Sequence, residues 1–211
     1  MADARLQRPA PAARPECPPD LSRFTPAVRA VGEKYGYDAA HAEQVAKLSQ
    51  GLFVGLQRLH GLDPAWAVLL GHAALLHDIG YFVQARRHHR HSRYLILQDG
   101  LLHPYPEPWR RCLALIAGNH RKRPRPAPRD WPRSRARSAQ ALAALLRVAD
   151  GLDYSHDSSA RLAKIQMTGG RVQLRVAGLP LRPDSRTLER KARLFAQVFA
   201  VPVVFSASAS A

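Results

Sequence analysis

Apolar residues recur along most of the chain at three- and four-residue steps, the period of amphipathic helices packed on one core. Thr25 and Pro26 supply an N-cap and a first-turn proline for a short helix through Tyr35. Asp38 caps a longer helix predicted to run to about Leu59, with Val45, Leu48, Leu52, Leu56 and Leu59 in its stripe and His41 one turn ahead on the same face. Asp63-Pro64 starts a third, carrying Trp66, Leu69, Leu70, Ala73 and Leu76 and ending in His77-Asp78 before Gly80, which reads as its stop. His91-Ser92 opens a short helix through Leu97. From Glu107 the residues Trp109, Leu113, Ile116 and His120 share one face, and from Ser138 Leu142, Leu146 and Asp150 do.

The period changes near Ala163. Ile165 and Met167, then Val172, Leu174 and Val176, alternate around Gly169-Gly170, a hairpin signature. Asp184 caps a helix with Leu188, Ala192, Phe195 and Phe199 on one side, and Val201 to Phe205 reads as a final strand. The expected architecture is mainly α: a helical bundle with a small α+β C-terminal appendage of hairpin, helix and strand. The expected divisions are a disordered, proline-rich leader over 1–22, a helical domain over 23–158, the appendage over 159–205 and a flexible tail over 206–211. Within the helical domain, 121–137 holds eight basic residues, four prolines and one acid, and reads as a basic loop.

At 211 residues the chain accommodates one sizeable core. Its longest apolar stretch, Ala65 to Leu76, is far short of a membrane span, so no membrane partner is expected. Two cysteines, Cys17 and Cys112, make no disulfide framework, and the expected compartment is the cytoplasm. The formal charge of +16 points to polyanionic partners: phosphorylated small molecules, polyphosphate, or nucleic acid through the basic loop. A GC-rich coding bias, which enriches arginine, alanine and proline together, explains part of that excess without any binding role.

Five polar residues lie on apolar helix faces: His41, His77, Asp78, His120 and Asp150, with His88, His89 or His91 in addition. Burying so many imidazoles and carboxylates requires that they satisfy one another or hold a metal. Mixed nitrogen and oxygen sets of this kind hold divalent ions for hydrolytic or oxidative chemistry.

The ordered set His41, His77-Asp78 within LLHDIG, and Asp150 within LLRVADGLD resembles the HD-domain superfamily of metal-dependent phosphohydrolases. HAEQVAKLSQGLF, HHRHSRYLI, GNHRK, LLRVADGLDYSH and LERKARLFAQVF are further similar to the HD-type C-terminal region of the exopolyphosphatase and guanosine-pentaphosphate phosphatase (Ppx/GppA) family, over roughly 25 to 205. The resemblance implies an all-helical core and a site of His41, His77, Asp78 and Asp150 holding Mn, Fe or Mg. Two-metal members of the superfamily would add His91 and His120, with His89 as the rival of His91. His77 and Asp78 are then the catalytic pair, Asp78 orienting a water. Arg90, Arg121, Lys122 and Arg147 are candidates for phosphate contacts, because guanidinium forks match phosphate oxygens.

Two departures limit what carries over. The chain has no actin-like N-terminal half, where the phosphatase site of that family lies, so exopolyphosphatase activity of that type is not implied. Tyr81 stands where cyclic-dinucleotide phosphodiesterases bearing HDIG have a lysine, and no GYP follows, which disfavours that substrate. The expected activity is hydrolysis of a phosphate ester or anhydride: nucleotide, alarmone or polyphosphate. The alternatives are a non-catalytic polyanion-binding module with a vestigial metal site and, last, a two-metal oxygenase. The expected appendage either covers the site or forms the interface of a homodimer.

Overall fold

The computed structural model describes residues 16–178 and 185–208. Among these, helices α1 (Thr25–Lys34), α2 (Ala39–Gly55), α3 (Gln57–His60), α4 (Ala65–Leu76), α5 (His88–Gln98), α6 (Glu107–Gly118) and α7 (Arg133–Leu152) precede strands β1 (Arg161–Thr168) and β2 (Arg171–Ala177), helix α8 (Ser185–Phe199) and strand β3 (Val203–Ala207). The protein is mainly helical with a small sheet near its C-terminal end, as the periodicity predicts. Helix α4 is apolar almost all round and forms the centre, with α2, α6, α7 and α1 packed about it. Val45, Leu48, Leu52, Leu69, Leu70, Leu76, Leu113, Ile116, Leu142 and Leu146 all lie in the core.

The N-terminal boundaries follow from local chemistry. Asp38 Oδ1 accepts from the His41 amide at 3.1 Å and Asp63 Oδ1 from the Ala65 amide at 2.9 Å, each satisfying a free donor of a helix start. Thr25 begins α1, but its hydroxyl bonds to His72 Nε2 at 2.9 Å instead of capping. Other boundaries differ from expectation. The second helix breaks at Leu56 and resumes as the one-turn α3, which ends at the left-handed Gly61. Helix α7 begins five residues before Ser138, directly after Pro132, so the basic loop shortens to about 121–132. A proline is excluded from a helix interior but not from the position before one.

The sheet has order β1-β2-β3: β1 and β2 form an antiparallel hairpin, and β3 pairs parallel to β2 after the crossover through α8. Its docking against α2 depends on Gly55, where a methyl group would meet the Ile165 side chain. Helix α8 lies on α7, which brings the appendage beside Asp150. The strand continues to Ala207, past the expected start of the tail at 206. At the other end, residues 1–15, the larger part of the expected leader, lie outside the described residues. From Glu16 onward the chain is packed, with Leu21 fully buried and Glu16 paired with Arg135. The expected cap Asp184 also lies outside the described residues.

His72 sits in this core, away from the charged cluster described below. Its Nδ1 is 3.1 Å from the Tyr105 hydroxyl, and burial, helped by Arg29, depresses its pKa to about 4. Above pH 6.5 the ring is neutral folded or unfolded and pH has no leverage. As the pH falls from 6.5 toward 4 the unfolded chain takes up a proton that the folded chain refuses, so stability falls by on the order of 3 kcal/mol. Urea unfolding across this window is expected to show that slope, flattened in His72→Gln, which retains hydrogen-bonding groups without titrating.

Candidate metal centre

Three chain segments end at one point. The N-terminal turn of α2 presents His41, the turn leaving α4 presents His77 and Asp78, and the last two turns of α7 present Asp150. The first turn of α5 adds His88 and the turn after α6 adds His120. All four histidines are buried, exposing 2% or less of their surface.

Each imidazole is anchored through Nδ1 with Nε2 facing its neighbours. His41 Nδ1 donates to Asp153 Oδ2 at 2.7 Å, His77 Nδ1 to Ala74 O at 2.7 Å, His120 Nδ1 to Ala117 O at 2.7 Å and His88 Nδ1 to Ala85 O at 3.1 Å. An acceptor on Nδ1 fixes the tautomer that leaves a lone pair on Nε2, the arrangement found behind metal-ligating histidines. On the inner side, His41 Nε2 lies 4.0 Å from Asp78 Oδ2 and 3.9 Å from Asp150 Oδ1, and His77 Nε2 lies 3.4 and 4.0 Å from the same two oxygens. The other oxygen of Asp78 faces the second pair: Oδ1 is 3.1 Å from His88 Nε2 and 3.3 Å from His120 Nε2. Asp78 stands between two groups of ligand type, one of His41, His77 and Asp150 and one of His88 and His120.

Buried His41 Nε2, His77 Nε2 and Asp78 Oδ1 have no hydrogen-bond partner. Orphaned polar atoms of this kind cost about 1–3 kcal/mol each in a finished core; three aimed at one point fit a cation that satisfies them. The electrostatics agree. Burial depresses the pKa of His41, with His77 adding to the effect, and burial holds His120 well below its ordinary value, so both rings are neutral donors near pH 7. Burial alone would keep Asp78 and Asp150 protonated. Burial is outweighed at Asp150 first by the Lys191 ammonium, and the pKa of Asp78 is lowered by the facing His77, His88 and His120 when those rings carry protons, a charge that a bound cation would supply once the rings are neutral.

Asp78 and Asp150 form the floor of a cavity of about 480 Å³. Arg121, Lys122 and Arg123 border it from the basic loop, Arg147 from α7, and Arg190, Lys191 and Arg193 from α8. Lys191 Nζ donates to Asp150 Oδ2, leaving Oδ1 for the His41 and His77 side. Buried Arg147 has no partner for its Nε, and Arg121 reaches the His88 ring at 3.2 Å. Tyr81 stacks on His88 with ring centroids 3.9 Å apart.

Set against expectation, the structure brings His41, His77, Asp78, His120 and Asp150 together and places Arg121, Lys122 and Arg147 on the cavity wall. It replaces His89 and His91 by His88. His89 faces a different pocket, and His91, partly exposed, belongs to none of the clustered groups. Arg90 also lies outside this cavity. Contributors unassigned in the sequence include Asp153, Lys191, Arg190, Arg193 and His156, which stacks on His41 at 3.7 Å and bonds Asp38. All but Asp153 have no apolar stripe to betray them, and Asp153 is told from a surface acid only by its partner.

Asp153 offers a test of the anchoring. Asp153→Ala is expected to weaken Mn²⁺ binding about 10- to 100-fold in calorimetric titration while the helical circular dichroism is retained, the usual consequence of removing a partner behind a ligand.

No curated protein matches the chain. The family model described as Ppx/GppA phosphatase, domain III, matches residues 25–184, a span that takes in every residue of both ligand groups, and by that match the chain belongs to the Ppx/GppA phosphatase domain III family.

Proposed function

We propose that the protein is a metal-dependent phosphohydrolase of HD type, cleaving a phosphate ester or anhydride at a centre where Asp78 and the two groups of ligand-type residues beside it would hold two divalent cations. The observation that carries this reading is the convergence of four Nδ1-anchored histidines on two carboxylates, half-buried Asp78 and buried Asp150, at a cavity walled by cations. His41, His77, Asp150 and Asp78 Oδ2 would hold one cation, and Asp78 Oδ1, His88 and His120 the other. Imidazole and carboxylate together suit Mn or Fe, and Mg where water completes the shell. Such ions supply Lewis acidity, which acidifies water and polarises a phosphoryl oxygen.

The chain's own groups do the rest. Arg147 and Arg121 offer guanidinium forks to non-bridging phosphate oxygens, and the unsatisfied Nε of Arg147 gains a partner only when an anion enters. Arg190 and Arg193 of α8 line the same cavity, so negative charge growing on the phosphoryl group meets further cations there. Asp78, ionised and rigidly surrounded, orients a water for attack. The substrate is a phosphorylated small molecule whose phosphoryl end fits beneath Tyr81 and Arg121.

The test is phosphate release from a panel of nucleotides, alarmones and polyphosphate with Mn²⁺, Fe²⁺ or Mg²⁺ added to chelator-treated protein. The reading predicts release from one substrate class that needs the metal. Absence of release across the panel, together with polyanion binding that collapses in salt, would favour a binding module instead.

A further inference from the structure

Adjoining the metal cavity at Lys122, Arg123 and Pro124 of the basic loop lies a second concavity of about 620 Å³ lined by Arg87, His89, Arg90, Gly118, Lys122, Arg123, Pro124, Arg125 and Pro126. Five of these nine residues are cations and none is an acid. Among the described residues none of the five makes a side-chain ion pair, although the fold elsewhere pairs its arginines readily, as Arg29 with Glu43, Arg111 with Asp130 and Arg135 with Glu16. Like charges held around one hollow repel, and solvated surface arginines would spread apart unless the backbone kept them together.

The backbone fixes one edge of this exposed cluster. Buried Asn119 closes the loop with two bonds to one residue: its Nδ2 donates to Arg125 O at 2.9 Å, and Arg125 N donates to its Oδ1 at 2.8 Å. On the facing wall, Arg87 immediately precedes the eleven-residue α5, which starts with no side-chain cap, so the positive end of that helix adds to the field. Gly118 allows the two walls to meet, since a methyl group there would press on Arg93 and the His89 carbonyl. His89, 92% buried, lines the hollow and carries an Nδ1 with no partner.

We propose that this hollow is a second anion site, separate from the metal centre, which takes a tetrahedral dianion of the phosphate class between Arg87 and Arg90 on one side and Lys122, Arg123 and Arg125 on the other. The assignment gives Arg90 an anion to bind although it stands outside the metal cavity. Lys122, Arg123 and Pro124 border both cavities, so an anion held outside fixes the strip of loop that walls the metal centre. The site does not depend on the protein being a hydrolase.

The experiment uses the full-length, metal-loaded protein with inorganic phosphate as probe, followed by NMR of the His89 ring and the arginine Nε–H groups at constant ionic strength maintained with chloride. Saturable shifts at His89, Arg87 and Arg90 are expected, with the apparent Kd raised about tenfold or more in Arg90→Gln/Arg125→Gln, the effect of losing charge-assisted bonds. The double variant should keep wild-type metal content, which separates failure here from failure of the metal centre. Glycerol phosphate serves as a second arm: binding tighter than free phosphate identifies a phosphate group carried on a larger molecule, and equal or weaker binding identifies the free ion. Shifts at His89 that chloride alone reproduces, or that persist unchanged in the double variant, would overturn the assignment.

Discussion

Asp78→Asn is expected to abolish metal-dependent phosphate release, by at least ~10³-fold, and to lower the metal content of the purified protein at both positions together. The substitution keeps the shape of the side chain and removes the charge. Both of its oxygens are engaged, Oδ2 toward His41 and His77 and Oδ1 toward His88 and His120, so neither group of ligands survives its loss. His77→Ala acts on one group only. Its ring contributes Nε2 to the His41 and Asp150 side and anchors to Ala74 O, a carbonyl of its own helix, so the fold should tolerate its removal. A variant that retained full turnover without metal would refute the assignment of His77 and Asp78 to the reaction.

Gly80→Ala is expected to destabilise the protein through packing. The glycine lies in the 3-10 turn Ile79–Phe82, where its amide donates to Ser92 Oγ at 2.9 Å. A methyl group there would overlap the His88 carbonyl and lie 2.5 Å from Ser92 N. Both are backbone atoms of α5 and cannot rotate away. Relief requires moving the start of that helix, at a cost of about 2–4 kcal/mol, or roughly 5–15 °C in Tm for a chain of this size. The start of that helix is also where His88 sits, so the variant should lose metal from the His88 and His120 side first. Gly100→Ala, where a methyl group meets nothing within 4 Å, is the control expected to leave both quantities unchanged.

Gly80 also shows where reading the sequence falls short. As a glycine after a helix it reads as a stop that lets the backbone turn. Its φ is not among the left-handed ones, and what it provides is the close approach of another helix. Close approach between distant segments leaves no periodic trace. The same limit governs His88. Three histidines at 88, 89 and 91 offer rings on neighbouring faces of one turn, and the chain selects His88 because Arg87 adopts a left-handed conformation that starts α5 there. His41, His77 and Asp150 were legible because each interrupts a stripe of apolar residues that must face the core, as Val45, Leu76 and Leu146 do. The cations of α8 were not, since a basic residue on an amphipathic helix reads as solvated until that helix is seen lying on Asp150.

The helical frame and the hairpin were equally plain, because alternation around Gly169-Gly170 and four-residue spacing elsewhere admit one reading each. Neither period specifies that β3 joins β2 in parallel or that the appendage reaches the cavity. Both follow from the crossover through α8, which places Lys191 on Asp150.

A centre of two cations sharing Asp78 is tested by the number of Mn²⁺ equivalents bound, by calorimetric titration of chelator-treated wild-type protein beside His88→Ala and Asp78→Asn. Two equivalents are expected in the wild type, one in His88→Ala and none in Asp78→Asn. Two equivalents retained in Asp78→Asn, or none bound by the wild type, would contradict it.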